Sequence, residues 1–414
     1  MKVYKWFFLL TVLPAAAVDD AALSMLIRAQ TDFDRVGASA LPDVRDTTRC
    51  TQSQAVVLPM TRPADLPVVR FRKGWCELLG ATLVDSQAGY RQAAQDFAHA
   101  LAESPNRAPE PVSAGLQVLS GIARLRAGAE PQVLPDIRAG FESAVATQAC
   151  PASVMPVRLC QELVSTARLW LGWMSLREGK LDDAKRMFQD FPEMGWLTWT
   201  EGRRALESRR YGEAAAAMAK AVERWNAEIK YPKGGTAHLL GPKPDRLEAI
   251  ADLGSTRYLA GDYTGAVQSL DAAVKGRPTD ARSIFVRGLA REALGQQEAA
   301  LSDYQIASRT AFANPNLPAA AAQAHLYRGV WHFRQKAWQR AESSFASALM
   351  ADAGPYRAEI IAWRHLAAVA GGACESSAAE LRRALPAASG FFPRAEAEAQ
   401  LAACSQPATV SRRE

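Results

Sequence analysis

Along most of this chain, apolar and small residues recur three and four positions apart with polar residues between them, and Ala-rich stretches lack the alternation of Val, Ile and Thr that marks strands. This pattern predicts helices. It becomes a repeat when the segments are aligned on five glycines: Gly172, Gly202, Gly254, Gly288 and Gly329. Twelve residues after each stands an alanine, at Ala184, Ala214, Ala266, Ala300 and Ala341. Sixteen after comes a large side chain, Phe188, Met218, Leu270, Tyr304 or Phe345, and nineteen after come Phe191, Ala221, Ala273, Ala307 and Ala348.

The spacing predicts a helical hairpin whose two helices cross closely. A glycine on the first helix and an alanine on the second remove bulk at the crossing. The large residue four positions beyond the alanine lies on the same face and fills the space alongside. Turn formers separate the helices, as in Arg177-Glu178-Gly179-Lys180, Leu259-Ala260-Gly261-Asp262-Tyr263 and Ala293-Leu294-Gly295-Gln296. A unit this small cannot bury its apolar face alone, so neighbouring units must stack.

These intervals, with the Gly-Asp-Tyr turn and Pro278 closing a unit, resemble the tetratricopeptide repeat. The resemblance implies an all-α solenoid of antiparallel helix hairpins with helical caps at both ends. Units are expected at about 165–198, 195–228, 247–280, 281–314 and 322–355, the third and fourth keeping the family's period. Two degenerate units, about 67–107 and 114–147, fit if residues are inserted in their turns: Gly74 with Ala93, Phe97 and Ala100, and Gly121 with Phe141 and Ala144. The array then covers 67–355. An N-terminal helical cap is expected over 18–66, with an amphipathic run from Ala21 to Gln30, and a C-terminal cap and tail over 356–414, with helices at 356–370, 375–386 and 394–403.

In this family the first helix of each hairpin lines a groove, six and three residues before the glycine and one and four after it. Here those slots hold Trp173, Trp196, Trp199, Arg203, Tyr258, Phe285 and Phe333, with Arg334 one further along. An aromatic groove suits an apolar or proline-rich peptide, or a sugar face stacking on indole. The clamp by which chaperone-binding members hold a terminal carboxylate needs Asn one after the glycine. Trp173, Arg203, Ser255, Leu289 and Val330 stand there instead, so that function does not carry over.

The N-terminus changes the picture. Lys2 and Lys5 precede an apolar run from Trp6 to Leu13 and then Ala15-Ala16-Ala17, the pattern of a signal peptide over 1–17. The run is too short to span a bilayer, and no other stretch approaches that length. The mature chain is therefore expected outside the cytoplasm, periplasmic or secreted, and not membrane-spanning. Loss of the two lysines lowers the net charge from +6 to about +4, and no basic run argues for nucleic acid.

Six cysteines suit an oxidising compartment. Six allow fifteen pairings, but an elongated stack keeps sequence-distant segments apart, so the near-neighbour pairs Cys50–Cys76, Cys150–Cys160 and Cys374–Cys404 are expected. None has CxxC spacing, and neither a zinc site nor a redox motif is indicated.

Catalytic signatures are missing: no GxSxG, HExxH, Walker or calcium loop is present. Asp32 and Asp34 have the spacing of a metal-binding acidic pair but read as an exposed helix end. His325 and His332 would share a helix side with no acid or Cys beside them. Gly235 to Lys243 fails the phosphate-loop spacing. The insertion from about Ala227 to Arg246, rich in Lys, Gly and Pro, reads as an exposed basic flap or as disorder. The expectation is a non-enzymatic scaffold without cofactor or metal, binding a protein or peptide in envelope assembly or secretion. The alternative is a polysaccharide-binding or polysaccharide-export accessory protein.

Overall fold

The computed structural model describes residues 20–38, 43–62, 65–103, 110–147, 157–230, 239–314 and 319–405. Nineteen α-helices and no strand occur among them. Two units divide the chain: residues 1–200 with 223–243, and residues 201–222 with 244–414. The first holds α1 (Asp20–Ala38), α2 (Val44–Val57), α3 (Leu66–Val84), α4 (Gln87–Ala102), α5 (Glu110–Arg126), α6 (Leu134–Thr147), α7 (Val157–Arg177) and α8 (Leu181–Phe188). The second holds α11 (Arg246–Leu259), α12 (Tyr263–Gly276), α13 (Ala281–Ala293), α14 (Gln297–Phe312), α15 (Ala320–Arg334), α16 (Trp338–Met350), α17 (Arg357–Ala370), α18 (Cys374–Ala384) and α19 (Arg394–Cys404). Helices α9 (Gly195–Glu207) and α10 (Tyr211–Lys230) are shared between the two. From α1 to α8 and from α11 to α19, each helix packs on the next.

The crossings follow the sequence pattern. A Cβ built on Gly74, Gly121, Gly172, Gly202, Gly254, Gly288 or Gly329 would stand 3.0 Å or less from Phe97, Phe141, Phe188, Met218, Leu270, Tyr304 or Phe345 respectively. No side chain larger than hydrogen fits there without moving a fully buried partner. The alanines Ala93, Ala184, Ala214, Ala266, Ala300 and Ala341 are all buried as well.

Six of the hairpins turn by the same device. The residue seven after the crossing glycine has a left-handed backbone: Gly128, Gly179, Gly261 and Gly295, with φ between 74° and 83°, and also Arg209 and Lys336, with φ 57° and 58°. The next amide then donates back across the helix end, from 180 to 175, 210 to 205, 262 to 257, 296 to 291 and 337 to 332, at 2.9–3.0 Å. This is the closure that satisfies the last carbonyls of a helix ending in a left-handed residue.

The same geometry reveals a hairpin that sequence spacing had placed in the C-terminal cap. In α17 and α18, Gly372 (φ 98°) is the left-handed residue and the amide of Ala373 donates to Ala368. Counting back seven puts His365 at the crossing, and counting forward puts Ser377 and Leu381 at the alanine and large-residue positions. Glycine and alanine are both replaced, which hid the unit. The unit containing Gly74 also departs from expectation: its extra residues lengthen α3 as far as Val84, and the chain turns at Asp85 (φ 52°) rather than through an enlarged loop.

At the N-terminal end, Cys50 on α2 is bonded to Cys76 on α3, with Cα atoms 5.9 Å apart, and the Gln54 amide donates to the Ala29 carbonyl at 2.8 Å. At the other end Cys374 is bonded to Cys404, joining α18 to α19 across 5.6 Å between Cα atoms. The expected Cys150–Cys160 pair lies outside the described residues. Asp32 and Asp34 sit inside α1 rather than at an exposed end; Asp32 is buried, and Asp34 accepts from Gln30 at 3.0 Å.

Candidate functional site

Four of the eight expected groove residues belong to the core. In the first unit, Trp196 and Trp199, each 6% exposed, lie against Trp225 at centroid distances of 5.1 and 5.4 Å, and Trp196 also stacks on Phe188 at 5.8 Å. In the second unit, Phe285 sits between Tyr304 and Tyr327 at 5.6 and 4.3 Å, and Phe333 packs edge-on to Trp338 and Trp363. The correction has a physical cause. The slot three before the glycine, held by Trp199 and Phe285, is where the first helix of one hairpin meets its neighbours, as Phe285 does with Tyr327; Trp196, six before, is closed in by Phe188 and Trp225, and Phe333, four after, by Trp338 and Trp363. Trp173 remains half-buried, with its ring edge-on to Trp170 at 5.4 Å and the Arg177 guanidinium 5.8 Å from its centre. Arg203 is half-exposed and faces Asp252 at 3.7 Å; burial raises the pKa of that carboxyl, opposed by Arg282 and Arg203.

Tyr258 and Arg334 mark a different arrangement, confined to the second unit. The segment between α18 and α19 lies against the first helices α17 and α11, and the start of α19 reaches α15. Phe391 lies stacked on Tyr258, centroids 5.7 Å apart and planes 14° from parallel. Gly390 passes so close to α11 that a Cβ there would stand 2.7 Å from Leu259 and 3.4 Å from the Tyr211 hydroxyl. The Ser389 hydroxyl donates to the Glu359 carboxylate at 2.6 Å, and Phe392 enters the core edge-on to Trp363 at 5.3 Å. Beyond Pro393, Glu396 on α19 accepts from Arg334 at 2.6 Å, while Glu292 on α13 holds the other side of the same guanidinium at 2.8 Å.

The electrostatics follow from this cover. Burial pushes the Tyr258 hydroxyl up to about 12. Burial also disfavours the charge on Arg334, but Glu292 and Glu396 outweigh it and raise its pKa. The Arg334 guanidinium lies over the rings of Phe333 and Trp363 at 5.2 and 5.5 Å, a position that favours a cation. Glu359, at the slot six before His365, is buried and its pKa is raised by that burial.

The 227–246 insertion is docked at its C-terminal end rather than being a free flap. Leu240 is fully buried, and its carbonyl accepts from the Trp170 indole at 3.0 Å. Arg126 donates to the carbonyls of Leu239 and Gly241, both at 2.8 Å. Burial, then the charge of Arg126, lowers the pKa of Lys243. Tyr231, Lys233, Gly234 and Gly235 lie outside the described residues. No group of three His, Cys, Asp or Glu side chains suited to a metal ion occurs among the described residues, and no described helix is long and apolar enough to cross a membrane. His325 contacts Arg328 at 2.8 Å and the Phe312 ring; burial and then Arg328 lower its pKa, as they do for His332.

Hairpin by hairpin, with glycine crossings and left-handed turns at fixed intervals, the chain has the tetratricopeptide-repeat fold. No family model matches it, and no curated protein does. Among solved structures, it is similar to a tetratricopeptide repeat protein from Parabacteroides merdae, at 16% identity over 67% of this chain and 93% of that one, TM-score 0.36. It is also similar to a signal-transduction ATPase with a tetratricopeptide repeat sensor from Pyrococcus horikoshii, at 13% identity over 87% of this chain, TM-score 0.46; that match spans 55% of the other protein. Yeast Tom70 matches at 10% identity over 93% and 96% of the two chains, TM-score 0.34.

Proposed function

We propose that this chain is an exported, non-catalytic scaffold that binds protein partners in envelope assembly or secretion. The observation that carries the binding reading is the row of first helices in the second unit. It already holds a turn and the helix start that follows it, through an aromatic stack at Tyr258, a hydroxyl bond at Glu359 and an ion pair at Arg334. Those are the contacts by which a helical groove takes a peptide. Export is supported by the leader pattern at 1–17 and by the two bridged cysteine pairs, which persist in oxidising compartments. The glycan reading relied on Trp173, Trp196 and Trp199 as stacking faces. Trp196 and Trp199 are in the core, and Trp173 is half-buried edge-on to Trp170.

Two measurements test this. Fusing residues 1–25 to a reporter that is active only after export should give activity, and N-terminal sequencing of the mature protein should begin near Val18; a cytoplasmic reporter would sink the localisation. A photocrosslinker placed at Tyr258 in the source cell should capture discrete proteins, and capture of none would sink the scaffold reading.

A further inference from the structure

We infer that residues 388–396 are a built-in occupant of a peptide site, and that the partner presents the same chemistry: an aromatic side chain for Tyr258, with an acid five residues later for Arg334. The inference deepens the scaffold reading and rests on it. Its basis is that the segment is held in two different ways. Ala388 and Phe392 are buried and belong to the core, as do Ala397 and Leu401 on α19. Ser389, Gly390, Phe391 and Glu396 are at least partly exposed and face three first helices: Glu359 of α17, Tyr258 and Leu259 of α11, and Arg334 of α15.

A segment meant only to cap the last hairpin would stop at α17 and α18. This one continues back to α11, three hairpins earlier, where Phe391 stacks on Tyr258 and Gly390 lies against Leu259. Charge complementarity is specific as well. Arg334 is held by Glu292 within the row, and the acid of the segment supplies its second carboxylate. A partner acid can take the Glu396 position without leaving the cation unpaired. The segment is a turn closed by the Phe392 amide on the Ser389 carbonyl, and Gly390 at its tip permits the closest approach.

Because the occupant is tethered, its effective concentration at the site is of millimolar order, so a competing peptide must overcome that advantage. The test therefore compares the intact, disulfide-bonded chain with a variant whose tether is pried away. Gly390→Val brings a Cβ against Leu259 and the Tyr211 hydroxyl. The probe is a fluorescein-labelled peptide of sequence Ala387–Ala397, followed by anisotropy. The variant should bind it at least tenfold more tightly than the parent chain. A second peptide carrying Phe391→Ala and Glu396→Gln should bind the variant at least tenfold more weakly than the first.

Equal binding of both peptides, equal binding by both proteins, or no binding by either overturns the proposal and makes the segment a permanent cap. If Gly390→Val does not melt cooperatively, hydrogen exchange on the parent chain decides instead. A millimolar excess of the first peptide should speed exchange in 388–396 while leaving 246–259 protected; unchanged exchange overturns the proposal. Failure here with successful crosslinking at Tyr258 would reject the built-in occupant and keep the scaffold, whereas no capture at Tyr258 would sink the scaffold and with it the partner chemistry inferred here.

Discussion

The Asp303 carboxylate, 1% exposed, is gripped from two sides by Arg287, whose guanidinium donates to it at 3.0 and 2.7 Å. Arg291 adds a third bond at 2.9 Å, and Asp271 closes the network by accepting from both arginines at 2.8 and 3.1 Å. The network ties α12, α13 and α14 together. Removing one partner of a buried charged pair leaves the other uncompensated, so Asp303→Ala should cost about 3–5 kcal/mol. Urea melts check this, and a loss below about 1 kcal/mol would show that solvent screens the arginines.

The tryptophan cluster gives a second expectation. Trp199→Ala should destabilise by about 3–5 kcal/mol, as for a buried aromatic. A thermal melt in which the variant matches the parent would return Trp199 to the surface.

Overpacking the crossing supplies the third. Ala266 and Ala300 are buried opposite Gly254 and Gly288, and Ala266→Leu or Ala300→Leu should destabilise by roughly 1–3 kcal/mol. Unaltered melting in both would mean that the helices separate freely at the crossing.

At Lys336 the chain accepts a left-handed backbone with a side chain that does not favour it. That conformation costs a non-glycine residue roughly 1–2 kcal/mol, part of which glycine loses again through its freer unfolded state. Lys336→Gly should therefore stabilise by about 0.5–1 kcal/mol, a shift readable in the denaturation midpoint. A lowered midpoint contradicts the turn geometry.

The fifth expectation concerns pH. Glu77 on α3 accepts from Lys73 at 2.8 Å beside Asp96, and burial first, then its hydrogen bond with Asp96, push its carboxyl up to about 7 from an unfolded value of 4.5. The folded state then holds the proton between those values and the unfolded state does not. The contribution of Glu77 to stability is greatest below about pH 4.5 and falls as pH rises toward 7, by on the order of 1–3 kcal/mol. Comparing urea melts at pH 5 and pH 7.5, Glu77→Gln should remove this part of the pH dependence; an identical slope in the variant would show that the carboxyl titrates normally.

Much of the architecture was legible in spacing alone. A hairpin is a local object: glycine at Gly288, alanine at Ala300 and a ring at Tyr304 are close in sequence, and the helical period places them on facing surfaces. The bridges Cys50–Cys76 and Cys374–Cys404 were legible for the same reason, since they join adjacent helices. The hairpin of α17 and α18 was less visible because His365 and Ser377 replace the two small residues that announce a crossing, leaving only the turn at Gly372 as its signal.

Which aromatic faces outward was not a local question. Trp196 and Trp199 occupy slots that line the groove in the family, yet Trp225 arrives from another helix and closes over them. Phe391 reaches Tyr258 three hairpins back, and Glu396 reaches Arg334 one hairpin back, only because the chain after α18 doubles back, and no periodicity encodes that return. The sequence by itself determined the helices, their pairing and their turns, because those depend on side chains within a few helical turns of one another. The tertiary structure alone decided what is buried, what is charged beside what, and what occupies the groove, because these depend on which distant segment excludes water from a given face.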